Sequence, residues 1–320
     1  MEKICVVVPC YNEEESLPMF YEEISRIAEE MGKEHPLEFE FLFVNDGSKD
    51  KTLELIKGYS AKDERVRYIS FSRNFGKEAG ILAGLKGSDG DYCVVIDADL
   101  QHPPALIPQM YSYVHDEGYD CAATRRVSRK GEPKLLSFFS SMFYKVINSI
   151  SDTHIIDGAQ DYRFMTRAMV DSIVALPEYN RFSKGIFSWV GFDTKFIPIE
   201  NVERKAGKST WNFRSLFRYS MEGIFAFSTV PLSFCTWLGV SFCLVALAVM
   251  TATLVKKIFF GENVSGYPTI ITLVSVLSGV QLLCTGIIAQ YIAKMYIEVK
   301  HRPKFIPKET NLESDRVKKL

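Results

Sequence analysis

Two aspartates one residue apart, Asp97 and Asp99, close an apolar run in the segment VVIDADLQHPP. In an extended chain residues i and i+2 project to the same side, so the two carboxylates would repel each other where solvation is poor. A divalent cation relieves that repulsion, and hard oxygen ligands suit Mg²⁺ or Mn²⁺. Gln101 continues the series with a neutral oxygen. The spacing alone leaves a metal site and a solvated turn equally open.

Missing phosphate-binding motifs narrow the ligand that this site would hold. No G-x-G-x-x-G opens a helix after the first predicted strand, so a dinucleotide oxidoreductase is poorly supported. No G-x-x-x-x-G-K-[ST] occurs, which excludes a P-loop enzyme at the level of motifs. Mg²⁺ commonly bridges substrate phosphates in proteins. A ligand that carries a diphosphate is therefore the expected partner of the two aspartates.

Alternating strand and helix patterns predict the elements that position these residues. Strands are predicted for KICVVVPCY, FEFLFVNDGS, RVRYISFSRN, DYCVVIDAD and YDCAATRR, with helices between them. Such alternation indicates an α/β fold with a mostly parallel sheet, whose ligands bind beyond the carboxyl ends of the strands. Polar residues follow four of these predicted strand ends: Asn12 and Glu13, Asn45 and Asp46, Arg73 and Asn74, Asp97 and Asp99.

Composition and charge exclude other classes of protein. The 320 residues include 38 basic and 39 acidic side chains, a balance that offers no electrostatic footprint for nucleic acid. The seven cysteines show no C-x-x-C or metal-ligand spacing. They are expected to be buried, reduced thiols of a protein that faces the cytosol.

Two long uncharged stretches predict a membrane hairpin. No charged residue occurs from Ile224 to Val255 or from Asn263 to Ala293, and about 20 apolar residues suffice to cross a bilayer. A buried helical pair in a soluble protein is the alternative. Basic residues are concentrated on the side of the two termini, with only Lys256 and Lys257 in the connecting turn. The positive-inside bias therefore predicts that the large domain and both termini are cytoplasmic.

We predict four parts of the chain: a large α/β domain at 1–205, an amphipathic juxtamembrane segment at 206–228, a transmembrane hairpin at 229–294 (helices at about 229–255 and 267–293), and a basic cytoplasmic tail at 295–320. Aromatic and basic residues at 211–225 form the pattern of a helix that lies flat at a membrane interface. Residues 135–147 show a similar apolar face, which either meets the membrane or packs on the sheet.

Several motifs in the same order resemble the family 2 glycosyltransferases with the GT-A fold. They are VVVPCYNEEESL, FLFVNDGSKDKT, SFSRNFGKEAGILAGL, VVIDADLQHPP, GAQDYRFMTR, RFSKGIFSWVGF and ERKAGKSTW. With the hairpin and its tail YIEVKHRPKFI, the chain is similar to the polyprenyl-phosphate glycosyltransferases, especially the bactoprenol glucosyltransferases. The resemblance implies a Rossmann-like GT-A domain that holds Mg²⁺ or Mn²⁺ on Asp97, Asp99 and Gln101. It also suggests a homo-oligomer.

The resemblance further implies which residues bind the nucleotide sugar. The implied pocket consists of Pro9, Tyr11, Asn12, Glu13, Asp46, Arg73, Asn74, Gly76, Lys77, Asp97, Lys208 and Ser209. Asp46 would contact the uracil or the ribose. One departure is Asn45, which stands where many members of the family carry a first aspartate. A uridine donor is favoured over a guanosine donor.

Acceptor phosphate requires cations. Arg125 and Arg126 lie nearest to the end of the fifth predicted strand, and forked guanidinium groups suit phosphate oxygens. We expect these two residues and Arg163 to bind the acceptor phosphate. Catalytic roles are expected for Asp99, Asp161, Arg125 and Arg204. Asp161 would orient the sugar or the acceptor, and a structural salt bridge with Arg163 is the alternative.

The implied reaction moves a sugar, glucose from UDP-glucose in the favoured case, to undecaprenyl phosphate for modification of a cell-envelope glycan. An acceptor phosphate is already ionised at neutral pH and needs no general base, and a single displacement inverts the anomeric centre. UDP-GlcNAc, GDP-mannose and a UDP-aminopentose are alternative donors. A membrane-tethered sugar-nucleotide binding protein is the non-enzyme alternative. A processive synthase is disfavoured, because QDYRF lacks the tryptophan of Q-x-x-R-W.

Overall fold

The computed structural model describes residues 1–127, 148–149, 156–199, 228–260 and 266–320. Within these ranges one eight-stranded sheet has the order β7-β5-β6-β4-β1-β2-β3-β8. Its strands are β1 (Glu2–Cys10), β2 (Leu37–Asn45), β3 (Val66–Phe71), β4 (Tyr92–Val95), β5 (Cys121–Arg126), β6 (Ala159–Thr166), β7 (Thr194–Ile199) and β8 (Pro307–Thr310).

Helices connect successive strands, and two long helices come after β7 in the chain. They are α1 (Leu17–Glu34), α2 (Thr52–Ser60), α3 (Lys77–Gly87), α4 (Ile107–His115), α5 (Arg167–Ala175), α6 (Ser183–Trp189), α7 (Val230–Phe260), α8 (Tyr267–Val299) and α9 (Ser314–Val317). The predicted apolar face at 135–147 lies outside the described residues, as does the predicted juxtamembrane segment at 206–228 except for its last residue, Ser228.

The sheet is mostly parallel and covered on both faces, as predicted. β1 pairs in parallel with β2 and β4, while β6 is antiparallel to both of its neighbours. Alternate residues of β1 enter different core layers, with Val6 in the layer that contains α1 and Val7 in the layer that contains α3. Burial on both faces explains why β1 is a continuous apolar run rather than an alternating pattern.

The chain turns earlier after β4 than the apolar run predicts. β4 ends at Val95, and the following turn includes Leu100 with φ = 56°. Asp97 and Asp99 therefore lie beyond the regular strand rather than on it, and their projection to one side stays a prediction. The apolar run continues one residue past the end of β4, because the Ile96 N–H still donates to the Val7 carbonyl over 3.1 Å. For this reason the apolar pattern predicts a longer strand than the structure contains.

The segment 295–320 contributes a strand to this sheet. β8 pairs antiparallel with β3 at the edge of the sheet, and the Phe305 ring stacks on Phe71 with centroids 5.0 Å apart. Arg316, 7% exposed, donates to both carboxylate oxygens of Glu40 over 2.8 and 2.5 Å. The prediction of a basic tail at 295–320 did not include this strand, because the residues of β8 show no alternation of apolar and polar side chains.

Two long apolar helices, α7 and α8, are present where the hairpin was predicted. Their most apolar stretches are Val230–Thr253 and Leu273–Val299, with mean hydropathies of 2.1 and 1.7. None of either apolar window is buried within the protein, which does not fit a buried helical pair in a soluble protein. The Tyr291 hydroxyl donates to the Ser228 carbonyl over 2.7 Å, so the start of α7 lies beside the end of α8.

The ion pair between Arg316 and Glu40 yields a prediction about stability. We expect Arg316→Met to lower the free energy of unfolding by about 2 kcal/mol, because charge-assisted hydrogen bonds to a buried carboxylate are lost. Lys318→Met is the matched control, since Lys318 pairs with Asp315 on the surface, where the side chains are 77% and 90% exposed. Denaturant unfolding followed by circular dichroism compares the two, and equal losses would contradict the prediction.

Candidate active site

The loops that follow β1 and β2 are joined at the carboxyl ends of these strands. The Asn12 N–H donates to Ser48 Oγ over 3.0 Å, and the Lys49 N–H donates to Asn12 Oδ1 over 2.9 Å. The Glu13 N–H donates to Thr52 Oγ1 over 2.8 Å. Asn12 adopts φ = 56°, a left-handed conformation in which Asn is enriched. These contacts hold the first polar loop against the second.

Asp46 fixes the loop that precedes α3. This buried carboxylate accepts hydrogen bonds from the Phe75 N–H over 2.6 Å and the Gly76 N–H over 2.8 Å. Burial raises the pKa of Asp46, although the two N–H donors oppose the increase. Both carboxylate oxygens of Asp46 therefore position the polypeptide backbone, and its expected contact with uracil or ribose stays a prediction.

Gly47 lets the same loop approach closely. It has φ = 65°, and a Cβ at this position would lie 2.5 Å from the Arg73 carbonyl carbon. Both the left-handed conformation and the lack of space therefore require glycine. Arg73 itself is exposed, with Cζ 4.1 Å from the centroid of the Phe75 ring.

Lys77, the first residue of α3, bridges two aspartates from separate strands. Its Nζ lies 2.7 Å from Asp97 Oδ2, after β4, and 2.8 Å from Asp161 Oδ2, in β6. Burial lowers the pKa of Lys77, but the charges of Asp161 and Asp97 outweigh burial and raise it. Burial likewise raises the pKa of Asp161, but Lys77 and then Lys184 hold it well below its usual range. Lys77 and Asp161 are therefore both ionised at neutral pH.

The turn after β4 has the donor atoms of a divalent-cation site. The Gln101 N–H donates to Asp99 Oδ1 over 3.1 Å, and the nearby His102 is 7% exposed. His102 Nδ1 has no hydrogen-bond partner among the described residues. Burial lowers the pKa of His102, while the charges of Asp97 and Asp99 oppose that decrease, so both carboxylates act on this ring.

The described residues contain no group of three His, Cys, Asp or Glu side chains arranged to hold a metal ion. Mg²⁺ does not need such a group, because it is usually bound by one or two carboxylates together with substrate phosphates and water. Asp97 and Asp99, with the side-chain oxygen of Gln101, fit that mode of binding.

The predicted arginines differ in their surroundings. Arg163 is 2% exposed, with Cζ 4.4 Å from the centroid of the Phe187 ring, which favours a structural role over contact with an acceptor phosphate. The ion pair found for Asp161 is with Lys77 rather than Arg163. Arg125 is exposed, and its Nε donates to the Asp157 carbonyl over 3.0 Å.

One edge of the sheet thus gathers most of the predicted nucleotide-sugar residues, and their contact with a nucleotide stays a prediction. Those at this edge are Pro9, Tyr11, Asn12, Glu13, Asp46, Arg73, Asn74, Gly76, Lys77 and Asp97. Arg126 is half-buried at the end of β5. Arg204, Lys208 and Ser209 lie outside the described residues.

Glu78 is a residue of this region that we did not predict. Both of its carboxylate oxygens accept from the Ser183 N–H, over 3.2 and 3.1 Å, and the Ser183 hydroxyl also donates to it. Burial, with a further contribution from the charge of Asp161, raises the pKa of Glu78 to about 7. No sequence pattern links Glu78 to Ser183, because 105 positions separate them.

Residues 5–174 match the family model described as glycosyl transferase family 2. The chain belongs to this family. The putative glycosyltransferase CsbB of Bacillus subtilis is 44% identical to it over 97% of this chain and 92% of that protein. The SfII prophage-derived bactoprenol glucosyl transferase of Shigella flexneri is 39% identical over 97% and 98%, respectively. The resemblance seen in the motifs is therefore confirmed.

A crystal structure of glucosyl-3-phosphoglycerate synthase from Mycobacterium tuberculosis is similar over 70% of this chain and 78% of that chain. The identity is 16% and the TM-score is 0.47. A likeness at this level does not bear on the function of this glycosyltransferase.

The close approach at Gly47 predicts a loss of stability on substitution. We expect Gly47→Ala to lower the free energy of unfolding by about 2 kcal/mol, because a Cβ adds strain at positive φ and displaces the backbone of Arg73. Gly58→Ala, within α2, is the control, since nothing lies within 4 Å of its Cβ position. That change should be neutral or slightly stabilising. Thermal unfolding measures both, and an unaffected Gly47→Ala protein would refute the close approach.

Glu78 predicts a pH dependence of stability. Its pKa of about 7 lies above the ordinary value of 4.5, so the folded protein binds more protons than the unfolded chain between these values. The contribution of Glu78 to stability is therefore present below pH 4.5 and is lost as the pH rises to 7.

Melting temperatures measured from pH 4.5 to 8 test this prediction. The decline attributable to Glu78 should disappear in Glu78→Gln, and the difference between the two curves isolates this residue from other titrating groups. Glu22→Gln, which removes an exposed carboxylate of α1, should keep the wild-type curve. Identical curves for Glu78→Gln and the wild type would refute the assignment.

Proposed function

We propose that this glycosyltransferase moves glucose from UDP-glucose to the phosphate of an undecaprenyl lipid, with inversion at the anomeric carbon. The single observation that carries the proposal is the pair of contacts from Lys77 to Asp97 and Asp161 at the edge of the sheet. The bactoprenol glucosyl transferase that covers 97% of this chain spans the apolar helices as well as the catalytic domain. That coverage supports a lipid acceptor rather than a soluble one.

The donor would bind across the ends of β1, β2 and β4. Asp97, Asp99 and Gln101 would hold Mg²⁺ or Mn²⁺, which when bound supplies a Lewis acid for the departing diphosphate. Lys77 adds a fixed positive charge next to Asp97. The backbone of the loop at 73–76, held by Asp46, gives this charge a defined position before the substrate arrives.

Asp161 would orient the reacting groups and would not accept a proton. Burial raises the pKa of Asp161, but the charge of Lys77 outweighs burial and holds the pKa well below its usual range. Asp161 is therefore a weak base. A phosphate acceptor is already ionised at neutral pH, so the reaction needs no strong base. The exposed Arg125 and the half-buried Arg126 are the proposed contacts of that phosphate.

The proposed topology places the catalytic domain and both termini on the cytoplasmic side of the membrane. The contact between Tyr291 and Ser228 supports it, since it brings the start of α7 and the end of α8 to the same side. The Tyr179 N–H also donates to Glu298 Oε1 over 2.8 Å, which joins the last turn of α8 to the catalytic domain. The basic residues after α8 agree with this orientation.

An assay of the purified full-length protein tests the proposal. Undecaprenyl phosphate, Mg²⁺ or Mn²⁺ and a panel of radiolabelled donors are mixed, and label that enters the organic phase reports transfer. We expect transfer from UDP-glucose. Transfer only from UDP-GlcNAc, GDP-mannose or a UDP-aminopentose would show that UDP-glucose is not the donor. Retention of UDP-glucose without transfer to any lipid would favour a non-catalytic binding protein.

The two aspartates of the turn predict the metal dependence. Asp97→Asn and Asp99→Asn should each lower kcat by about 100-fold or more, because the charge that develops on the diphosphate loses its compensation. Chelation by EDTA should abolish activity, and added Mn²⁺ or Mg²⁺ should restore it. Asp171→Asn is the control, because Asp171 forms an exposed ion pair with Arg167 on α5. Full activity of the Asp99→Asn variant in the presence of EDTA would contradict the proposed metal dependence.

A further inference from the structure

A basic cavity of about 390 Å³ lies between the loop at 73–76, the segment at 179–181 and the chain that follows α8. Its lining includes three cationic side chains, Arg73, Arg181 and Lys304, and one acidic side chain, Glu78. The pKa of Glu78 is raised to about 7, mainly by burial, so this carboxyl is only partly ionised at neutral pH. The cavity therefore carries an excess of positive charge.

Lys304 is the least compensated of the three cations. Its half-buried side chain has no hydrogen-bond or ion-pair partner within the described ranges of the chain. Burial, with repulsion from Arg181, lowers the pKa of Lys304 to about 8. The acid that opposes this most is Glu298, whose carboxylate already accepts from the Tyr179 N–H. A half-buried ammonium group without a partner favours a bound anion.

The two arginines of the cavity are held in place without a carboxylate. Arg181 donates from Nη1 to the Leu176 carbonyl over 3.1 Å and from Nη2 to the Ile173 carbonyl over 3.0 Å. Arg73 lies against the Phe75 ring. Neither arginine forms an ion pair with a described residue. Guanidinium groups fixed in this way lose little further freedom on binding, and they suit phosphate oxygens.

The cavity lies close to the point where α8 ends. Glu298, in the last turn of α8, is tied to Tyr179 by the hydrogen bond from its N–H. Helix α8 ends at Val299, and Lys304 lies five residues further along the chain, at most about 18 Å away. The cations of the cavity therefore lie near the end of α8, the side from which a lipid headgroup would approach.

We propose that this basic cavity binds the phosphate group of a membrane lipid. The site shares the loop at 73–76 with the predicted nucleotide-sugar pocket but does not include Lys77, Asp97 or Asp161. Its occupation requires no glycosyl transfer. Such a phosphate would compensate Lys304 and would hold the loop at 73–76 and the chain after α8 against each other.

Calorimetric titration of the full-length protein in detergent tests the proposal. The probes are dihexanoyl phosphatidic acid, dihexanoyl phosphatidylcholine and inorganic phosphate. Phosphatidic acid should bind saturably, phosphatidylcholine should not bind, and inorganic phosphate should bind more weakly. Lys304→Gln should weaken the binding of phosphatidic acid about tenfold, as expected for the loss of one charge-assisted hydrogen bond. Lys304→Arg should restore most of the affinity.

Lys308→Gln is the matched control, because it removes the same charge from an exposed position on β8. It should change the affinity less than about twofold. Lys304→Gln should keep the wild-type melting temperature, since Lys304 has no partner among the described residues to lose. If that variant unfolds, the comparison of the three probes on the wild-type protein still tests whether the cavity binds a lipid phosphate.

Three results would overturn the lipid site. Equal weakening by Lys304→Gln and Lys308→Gln would indicate unspecific surface charge. Binding of inorganic phosphate as tightly as phosphatidic acid would indicate a free anion. A tenfold loss of UDP affinity in Lys304→Gln would make the cavity part of the donor site. None of these measurements depends on transfer, so failure of the proposed glucosyl transfer leaves the test intact.

Discussion

The position of the Lys77 ammonium group is the constraint on which the edge of the sheet depends. Two carboxylates from separate elements, Asp97 and Asp161, share this one cation. Lys77 reaches both because α3 begins at that residue, and the preceding loop is fixed by the buried Asp46. The helix is fixed in turn by close packing, since a Cβ on Gly84 would lie 2.0 Å from Val7 Cγ1. Buried backbone contacts thus determine the geometry of the charged groups.

Sharing one lysine between two aspartates also sets the electrostatic state of the site. A carboxylate that loses solvation is costly unless a cation or hydrogen bonds compensate it. Lys77 gives that compensation to Asp97 and Asp161, while Asp99 accepts from the Gln101 N–H. The edge still holds more negative than positive charge among these four groups. A divalent cation brought with a diphosphate would therefore meet a site whose negative charge Lys77 already balances in part.

Much of this arrangement could be predicted from the sequence, because apolar strand patterns and polar strand ends are local signals. They predicted the parallel strands and the edge at which Asn12, Asp46 and Asp97 meet. Other features depend on contacts between distant residues. β8 has no apolar alternation, and its place in the sheet depends on pairing with β3. Arg163, an expected phosphate ligand, is buried, and charge in a sequence does not reveal burial. The role of Glu78 could not be predicted, because its partner Ser183 lies 105 positions away in the chain.

The chain that follows α8 connects the two long apolar helices to the loop at 73–76. β8 pairs with β3, and the Ser72 N–H donates to the Ile306 carbonyl over 3.0 Å, directly before Arg73. Glu298 is joined to Tyr179 on the other side of the basic cavity. The end of α8 is therefore held at two points that flank the loop at 73–76. A shift of this helix end would strain that loop unless one of the two contacts broke, so the positions of the end of α8 and of the loop at 73–76 are physically linked.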